Sequence, residues 1–377
     1  MHASPGALGQ AGSLGWYDSG PGPAASPLQT PETPIINHLS PEKVDYCCSW
    51  LPWGSRPPLH GHDAIMPVAY VEFEPSERAG HPSAEPRLRA AAEALRDDGI
   101  VVLRNAIDPQ TLGVLRRRML ADLARAASEG WELDDNWQGL RPPHSRPYLF
   151  PDVIFNELAC SVAQRVLGPG QRLSGYQSNT AFAAGGAVAH ADSPNREYAA
   201  AGRTQRVHVD HCNPHPPPHP PERCTFIVAN IPLEDVDEKN GATAVYPGTH
   251  LDCRCSREPE PQKFPTAKML SEAEECRTVT RLGDVVLRDM RLWHGGRENS
   301  TADHRVMLAL ILTASEANGG QQRNGAGWRC EAGTEDFWLA GGGALLEVPR
   351  PIEAVWEPGE EQLEQPGAVR LRQQSRL

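Results

Sequence analysis

This 377-residue chain contains, in its second half, the stretch Gly283-Asp284-Val285-Val286-Leu287-Arg288-Asp289-Met290-Arg291-Leu292-Trp293-His294. The Gly-Asp pair predicts a tight turn, the apolar residues after it predict a buried strand, and a histidine follows at the end of that strand. Similar β-prone runs, separated by Gly, Pro and Asn, occur on both sides of this stretch. They are residues 176–182, 206–209, 225–231, 242–246, 278–281, 285–287 and 306–312.

Helical patterns precede these strands. Apolar residues recur at helical spacing from Leu88 to Leu95, and Gly99 suits the left-handed end of that helix. Asp108-Pro109 predicts the start of a second helix, and residues 155–167 predict a third. Because the strands follow without intervening helices, we expect a mainly β fold with flanking helices, built as an antiparallel double sheet or jelly roll.

The composition excludes several classes of protein. Asp+Glu 48 against Lys+Arg 36 gives a net charge of −12, which disfavours a nucleic-acid partner. The longest apolar run, 306–312, is far shorter than the roughly 20 residues of a membrane span. The first residues lack a signal-peptide pattern, so the 9 cysteines are expected to be reduced thiols of an intracellular protein.

The distribution of Pro and Gly predicts three regions. Residues 1–60 are rich in both and form an irregular lead-in. Residues 61–316 contain the helical and strand patterns, so we predict one domain there. Residues 317–377 are predicted to be an extension that packs on the core and ends in a polar tail.

A candidate metal site lies in the strand-like segment Val207-His208-Val209-Asp210. Side chains two residues apart on a strand point to the same face, so His208 and Asp210 can converge. An imidazole and a carboxylate supply two of the three ligands of a facial iron(II) triad. The pattern alone is weak, because the chain contains two rivals, His190-Ala191-Asp192 and the run from His60 to Asp63.

His294 is the candidate third ligand. Arg305 comes eleven residues later and begins an apolar strand, and a hairpin through residues 297–303 would bring it beside His294. A guanidinium can bind a carboxylate in two places. The set therefore indicates an oxygenase that uses iron and a dicarboxylate cosubstrate.

Five segments together resemble the phytanoyl-CoA dioxygenase family of iron(II)/2-oxoglutarate oxygenases, over residues 86–315. Among them, the Pro-Gly-Thr-His and Asp-x-Arg-Leu-Trp-His pieces are fairly specific. The segments are Asp98–Arg104, Gln205–Asp210, Asn230–Val236, Asn240–His250, and Gly283–His294 together with Arg305.

The resemblance implies a double-stranded β-helix, a cupin-like jelly roll, with His208, Asp210 and His294 on iron(II). It also implies that Arg305 binds the distal carboxylate of 2-oxoglutarate and that Asn230 points into the same cavity. Dioxygen would be the other cosubstrate. The family places its His-x-Asp shortly before the Asn-x-Pro-Leu strand, which selects His208 over His190. The expected activity is oxidation of a small molecule, an acyl thioester or a secondary metabolite, and the Asp210 carboxylate favours hydroxylation, or a related desaturation or ring closure, over halogenation.

Two other functions fit the sequence. The fold could serve as a non-catalytic binding module, although every implied ligand is present. The loop 211–224, which is rich in His, Pro and Cys, could instead bind zinc in an interaction protein. The segments 183–205 and 211–222 are the predicted specificity loops.

The last three residues, Ser375, Arg376 and Leu377, resemble a peroxisomal targeting signal. The expectation is recognition by a peroxisomal import receptor if the source is eukaryotic, and a cytoplasmic protein otherwise.

Overall fold

The structure is a computed structural model, and it describes residues 68–74, 77, 79–128, 131–132, 145–184, 204–211, 223–252, 263–315, 328–331, 333–334, 336–338, 351–354 and 372–373. All of them belong to one of the two units into which the chain divides, His62–Leu377. Several predictions fall outside these residues and stay predictions: the lead-in 1–60, the rival pairs at His60–Asp63 and His190/Asp192, most of both specificity loops, and the tail Ser375–Leu377.

The described elements are five α-helices, two short 3₁₀ helices at Arg146–Tyr148 and Thr249–Leu251, and thirteen strands. The helices are α1 Ala84–Asp98, α2 Pro109–Ser128, α3 Pro151–Ile154, α4 Glu157–Leu167 and α5 Ala267–Ser271. The strands are β1 Ala69–Glu72, β2 Ile100–Arg104, β3 Trp131–Glu132, β4 Arg172–Ser178, β5 Phe226–Pro232, β6 Ala244–Val245, β7 Cys276–Arg277, β8 Val285–Asp289, β9 His294–Gly295, β10 Met307–Thr313, β11 Trp328–Glu331, β12 Pro351–Ala354 and β13 Arg372–Gln373. No helix of the described part is long and apolar enough to cross a membrane.

Nine strands form one large sheet and one small sheet that bears part of the candidate site, and the other four form two-stranded pairs, β11 with β12 and β13 with β3. The large sheet has the order β1-β2-β8-β5-β10-β4, and its pairs are antiparallel except for β1 and β2. The small sheet has the order β7-β6-β9, and an antiparallel bridge between His208 and His294 extends it. Among the described residues the two sheets do not close into a barrel. The mainly β, double-sheet class is confirmed.

The main core lies between the large sheet and the helices. The buried face of α1 includes Leu88, Ala91 and Leu95. Gly99 ends this helix with φ 76°, and a Cβ there would lie 2.5 Å from Nδ1 of His250. Only glycine meets both demands, so the sequence reading of this helix end is confirmed.

Part of the chain beyond residue 316 also contacts this core. Trp338 is buried, and its ring lies 6.3 Å from that of Phe155 in an edge-on arrangement. The ring of Phe337 lies 5.2 Å from the same phenylalanine. This contact agrees with an extension that packs on the core, while the division into three regions and the two boundaries between them stay predictions.

Several predicted boundaries are offset. The strand expected at 176–182 is β4, which ends at Ser178, and the strand expected at 278–281 is β7, which ends at Arg277. Helix α4 begins at Glu157 and not at residue 155, because the Asn156 side chain accepts a hydrogen bond from the Ala159 amide and caps it.

The predicted hairpin between His294 and Arg305 is wrong. His294 lies in β9 of the small sheet, where it pairs with Val245 and His208. Arg305 instead bridges to Ala181, immediately before β10 of the large sheet. The chain crosses from one sheet to the other between them, so the two side chains approach one cavity from different sheets.

Candidate metal centre

A cavity of about 330 Å³ lies between the two sheets. Alternate residues of the large-sheet strands face into it, as strand geometry requires. One row of paired residues crosses the sheet through Gln177, Ala309, Asn230 and Val286, and all four line the cavity. His208, Asp210, His294 and Arg305 line it as well. The cavity therefore contains all five residues that were predicted for the site.

The backbone holds the two histidines side by side. The His208 amide donates to the His294 carbonyl at 2.8 Å, and the His294 amide donates back at 3.0 Å. Gly295 permits this close approach, because a Cβ there would lie 2.9 Å from the carbonyl oxygen of Gln205. We infer that any larger residue at 295 would push the His208 segment away from β9.

The Nδ1 atom of each histidine faces away from the candidate metal position and is hydrogen-bonded to a backbone carbonyl. Nδ1 of His208 lies 2.8 Å from the Arg206 carbonyl, and Nδ1 of His294 lies 3.0 Å from the Leu292 carbonyl. A hydrogen on each Nδ1 leaves each Nε2 as an unprotonated nitrogen, which is the form that binds metal. The two histidine side chains are 4 % and 8 % exposed, so they are fixed by burial as well.

Asp210 completes the group from the cavity mouth. Its amide donates to the Met290 carbonyl at 3.0 Å, and its side chain is 28 % exposed. The carboxylate lies 3.4 Å from Nε2 of His208 and 3.3 Å from Nε2 of His294. All three ligand atoms lie within 4.8 Å of one another. Among the described residues this is the one group of three such side chains that could hold a metal ion.

The donor set fits iron(II). Two imidazoles and one carboxylate are the ligands of the facial triad that leaves positions open for other ligands. Burial and the neighbouring Arg288 cation together lower the pKa of His294 to about 4, so the imidazole is neutral at pH 7. Burial alone would raise the pKa of Asp210, but the neighbouring Arg288 cation holds it well below its usual range. Asp210 and His294 are thus in their metal-binding forms.

Arg305 lies at another wall of the cavity, and its side chain is almost completely buried. The guanidinium donates to the carbonyls of Asn179 at 3.1 Å, Gly241 at 3.0 Å and Asn240 at 3.4 Å. Burial lowers its pKa to about 10, which still leaves it charged at pH 7. Three of five N–H groups are used in these contacts, so the guanidinium keeps donors for an anion in the cavity.

Asn230 is the second residue suited to an anion. It is 7 % exposed and lines the cavity, and its Nδ2 atom is buried with no hydrogen-bond partner among the described residues. A buried unpaired donor costs about 1–3 kcal/mol, so such a group in a cavity points to a ligand that would accept its hydrogen bond.

Replacement of Asn230 by leucine tests this reading. Because an unpaired donor is removed, we expect the metal-free N230L protein to unfold at the same temperature as the wild type or higher. Binding of 2-oxoglutarate should weaken by about fivefold, the worth of one neutral hydrogen bond. Calorimetric titration and thermal unfolding measure the two effects.

Asn299 provides the matched control. It is fully buried too, but its Nδ2 donates to the carbonyls of Ala181 at 3.0 Å and Asp303 at 2.8 Å. Asn299→Leu should therefore lower the unfolding temperature. A drop of the same size in N230L would show that Asn230 is satisfied within the protein.

Sequence reasoning missed one residue of the site, Arg288. It lies in β8, where Val286 and Arg288 face the cavity and Leu287 faces the main core. Its Nη2 lies 2.7 Å from Oδ2 of Asp210. The available signal was a charged residue inside an otherwise apolar strand pattern, Val285-Val286-Leu287-Arg288.

The loop proposed for zinc is described only at its ends. The ring of His211 packs against that of Phe226 with a tilt of 52° and 4.2 Å between ring centres, and the Cys224 thiol is buried, which raises its pKa well above the usual range. Residues 212–222 lie outside the described residues. The zinc site stays a prediction.

Comparison with known proteins adds the following. A family model described as Phytanoyl-CoA dioxygenase (PhyH) matches residues 95–307, which include every residue of the site described above. The structure of AviO1 from Streptomyces viridochromogenes Tue57 is similar at 21% identity and TM-score 0.45, over 60% of this chain and 95% of that one. The α-ketoglutarate-dependent carbocyclase SnoK of nogalamycin biosynthesis is similar at 18% identity and TM-score 0.44, over 63% of this chain and 86% of that one.

Proposed function

The chain belongs to the phytanoyl-CoA dioxygenase family, and from this premise we propose that His208, Asp210 and His294 hold its iron(II). Arg305 and Asn230 are proposed to bind its 2-oxoglutarate. The chain is a non-haem iron(II)- and 2-oxoglutarate-dependent dioxygenase. The proposed reaction is hydroxylation, or a related oxidation, of a small molecule such as an acyl thioester or a secondary metabolite.

The observation that carries the residue assignment is the convergence of three ligand atoms within 4.8 Å at a cavity that also contains a buried arginine. Iron(II) together with 2-oxoglutarate and dioxygen supplies the oxidising chemistry, in which 2-oxoglutarate becomes succinate and carbon dioxide. The protein's own residues bind, orient and enclose these groups.

Each residue has a separate task in this proposal. The backbone carbonyls of Arg206 and Leu292 orient the two imidazoles through their Nδ1 atoms. Arg305 presents its remaining N–H groups to the distal carboxylate, and Asn230 supplies a neutral donor from the neighbouring strand β5. The partly exposed Asp210 marks the side from which a substrate reaches the metal.

The apolar part of the cavity wall excludes water from the reacting groups. Val228, Val286 and Ile311 face into the cavity from three adjacent strands of the large sheet. A dry, shaped wall keeps the oxidising chemistry directed at the bound substrate.

The experiment that tests this function is turnover of 2-oxoglutarate. Protein supplied with iron(II) and oxygen should convert 2-oxoglutarate to succinate slowly even without the substrate, and iron and oxygen should both be required. Candidate acyl thioesters and metabolites are then screened for acceleration of succinate formation. Succinate formation that is independent of added iron, or absent at every iron concentration, would refute the proposed activity.

A further inference from the structure

Arg288 brings a second buried cation to the metal end of the cavity. Its side chain is 6 % exposed, and its Nη2 binds Oδ2 of Asp210 at 2.7 Å. Among the described residues that line the cavity, Asp210 is the one carboxylate, whereas Arg288, Arg305 and Lys263 are all basic. The carboxylate that a metal needs is therefore shared with an arginine.

In this arrangement the positive charge of Arg288 repels a metal ion that binds without 2-oxoglutarate. Two like charges a few ångströms apart repel strongly in a site with little water. Arg288 repels a divalent cation held between the two histidines and Asp210, and it already binds one oxygen of the carboxylate that the cation needs. Arg288 therefore lowers the affinity of the site for a metal ion alone.

The contact between Arg288 and His294 indicates which group Arg288 binds when the metal is present. Nη1 of Arg288 lies 3.1 Å from Nδ1 of His294, the same nitrogen that lies 3.0 Å from the Leu292 carbonyl. When Nε2 binds a metal, Nδ1 carries the hydrogen and donates it to Leu292, so it cannot accept a hydrogen bond from Arg288. Nη1 of Arg288 therefore has no acceptor at His294 in this metal-binding form, and a carboxylate in the adjoining cavity would supply one.

We propose that Arg288 couples binding of the metal to binding of the cosubstrate. Arg288 weakens binding of the metal alone, and it strengthens binding of the metal together with 2-oxoglutarate, one carboxylate of which would bind beside Arg288. The inference rests on the proposed function of this cavity. Because such coupling is reciprocal, 2-oxoglutarate must also bind more tightly when the metal is present. Arg288 is a positioning residue in this account, and Arg305 stays the anchor for the distal carboxylate.

The test is a titration of the full chain with Mn²⁺, which is stable in air, in the absence and presence of 2-oxoglutarate. In Arg288→Met, Mn²⁺ alone should bind at least about fivefold more tightly than in the wild type. This factor corresponds to only a small part of the electrostatic repulsion between two charges a few ångströms apart. The factor by which 2-oxoglutarate tightens Mn²⁺ binding should fall by at least about fivefold. Oxalate, which has no distal carboxylate, should show the same loss of coupling if the carboxylate at the metal is the one that Arg288 binds.

Three further proteins make the result decisive. Arg288→Lys keeps the charge and should bind Mn²⁺ alone within about twofold of the wild type. Arg288→Gln repeats the neutral replacement if the methionine variant does not fold. Arg165→Met removes an arginine that pairs with Glu85 on the helical side of the molecule, and it should change neither titration.

The outcomes separate the two proposals. Weaker Mn²⁺ binding in both neutral variants, together with a lower unfolding temperature, would show that Arg288 only supports the fold and would overturn the inference. Neutral variants that titrate like the wild type would overturn it too. A wild-type protein that binds neither Mn²⁺ nor 2-oxoglutarate would instead refute the function proposed for the cavity.

Discussion

Replacement of His208, Asp210 or His294 by alanine is expected to abolish succinate formation from 2-oxoglutarate. Each change removes one of the three ligand atoms that converge within 4.8 Å. With two ligands left, iron affinity should fall by at least about 100-fold. Loss of a residue that only supports a ligand already lowers metal affinity by up to about 100-fold, and loss of the ligand itself should cost more. Equilibrium dialysis of iron(II) without oxygen and a succinate assay measure both losses.

The matched controls are His190→Ala and Asp192→Ala, the rival His-x-Asp pair in the sequence. We expect both variants to keep iron and activity. Thermal unfolding of the metal-free proteins shows whether any loss comes from the fold. An essential His190 pair together with a dispensable His208 pair would contradict the assignment.

Replacement of Arg305 by alanine should raise the concentration of 2-oxoglutarate needed for half-maximal succinate formation by at least tenfold. A bidentate, charge-assisted pair in a buried site contributes on the order of 2–4 kcal/mol. Because His208, Asp210 and His294 are unchanged, binding of iron alone should persist. A 2-oxoglutarate titration and an iron titration of the same preparation separate the two effects.

Arg305 also donates to three backbone carbonyls, so its loss could disturb the wall of the cavity. Arg305→Lys keeps the charge without the planar fork and should have an intermediate effect. Arg297→Ala removes a nearby arginine that pairs with Glu275, and its 2-oxoglutarate titration should be unchanged. An unchanged titration in Arg305→Ala would transfer the anchor to another cation.

Local elements of the fold could be predicted from the sequence because their signals are local. The apolar spacing of α1 and the glycine that ends it lie within one short segment, and so do the start of α2 at Pro109 and the strand β2. The offset ends of β4 and β7 depend on partners far away in the chain. The register of β4, for example, is set by its pairing with β10, more than a hundred residues later.

The wrong hairpin has the same cause. A histidine and an arginine joined by a short polar segment predict two paired strands, but each strand finds a better partner elsewhere. β9 pairs with β6, and β10 pairs with β4 and β5. The short segment between them crosses between the sheets, and its sequence does not reveal this.

The residues of the site could be predicted from the sequence to the same extent as the fold. His208 and Asp210 were found because residues two apart on an extended segment share a face, and the structure brings both to His294. Arg288 was missed because a strand sequence shows which residues share a face but not which face meets the metal. Which face of β8 meets the metal depends on the pairing of β8 with β2 and β5.

The metal content of protein purified without oxygen tests the central claim most directly. The account predicts about one iron per chain, retained in the presence of 2-oxoglutarate and lost in the Asp210→Ala variant, as expected for a facial triad. Zinc in place of iron, retained in that variant, would support the His/Pro/Cys loop as the metal site. Either that result or the absence of any bound metal would contradict the account.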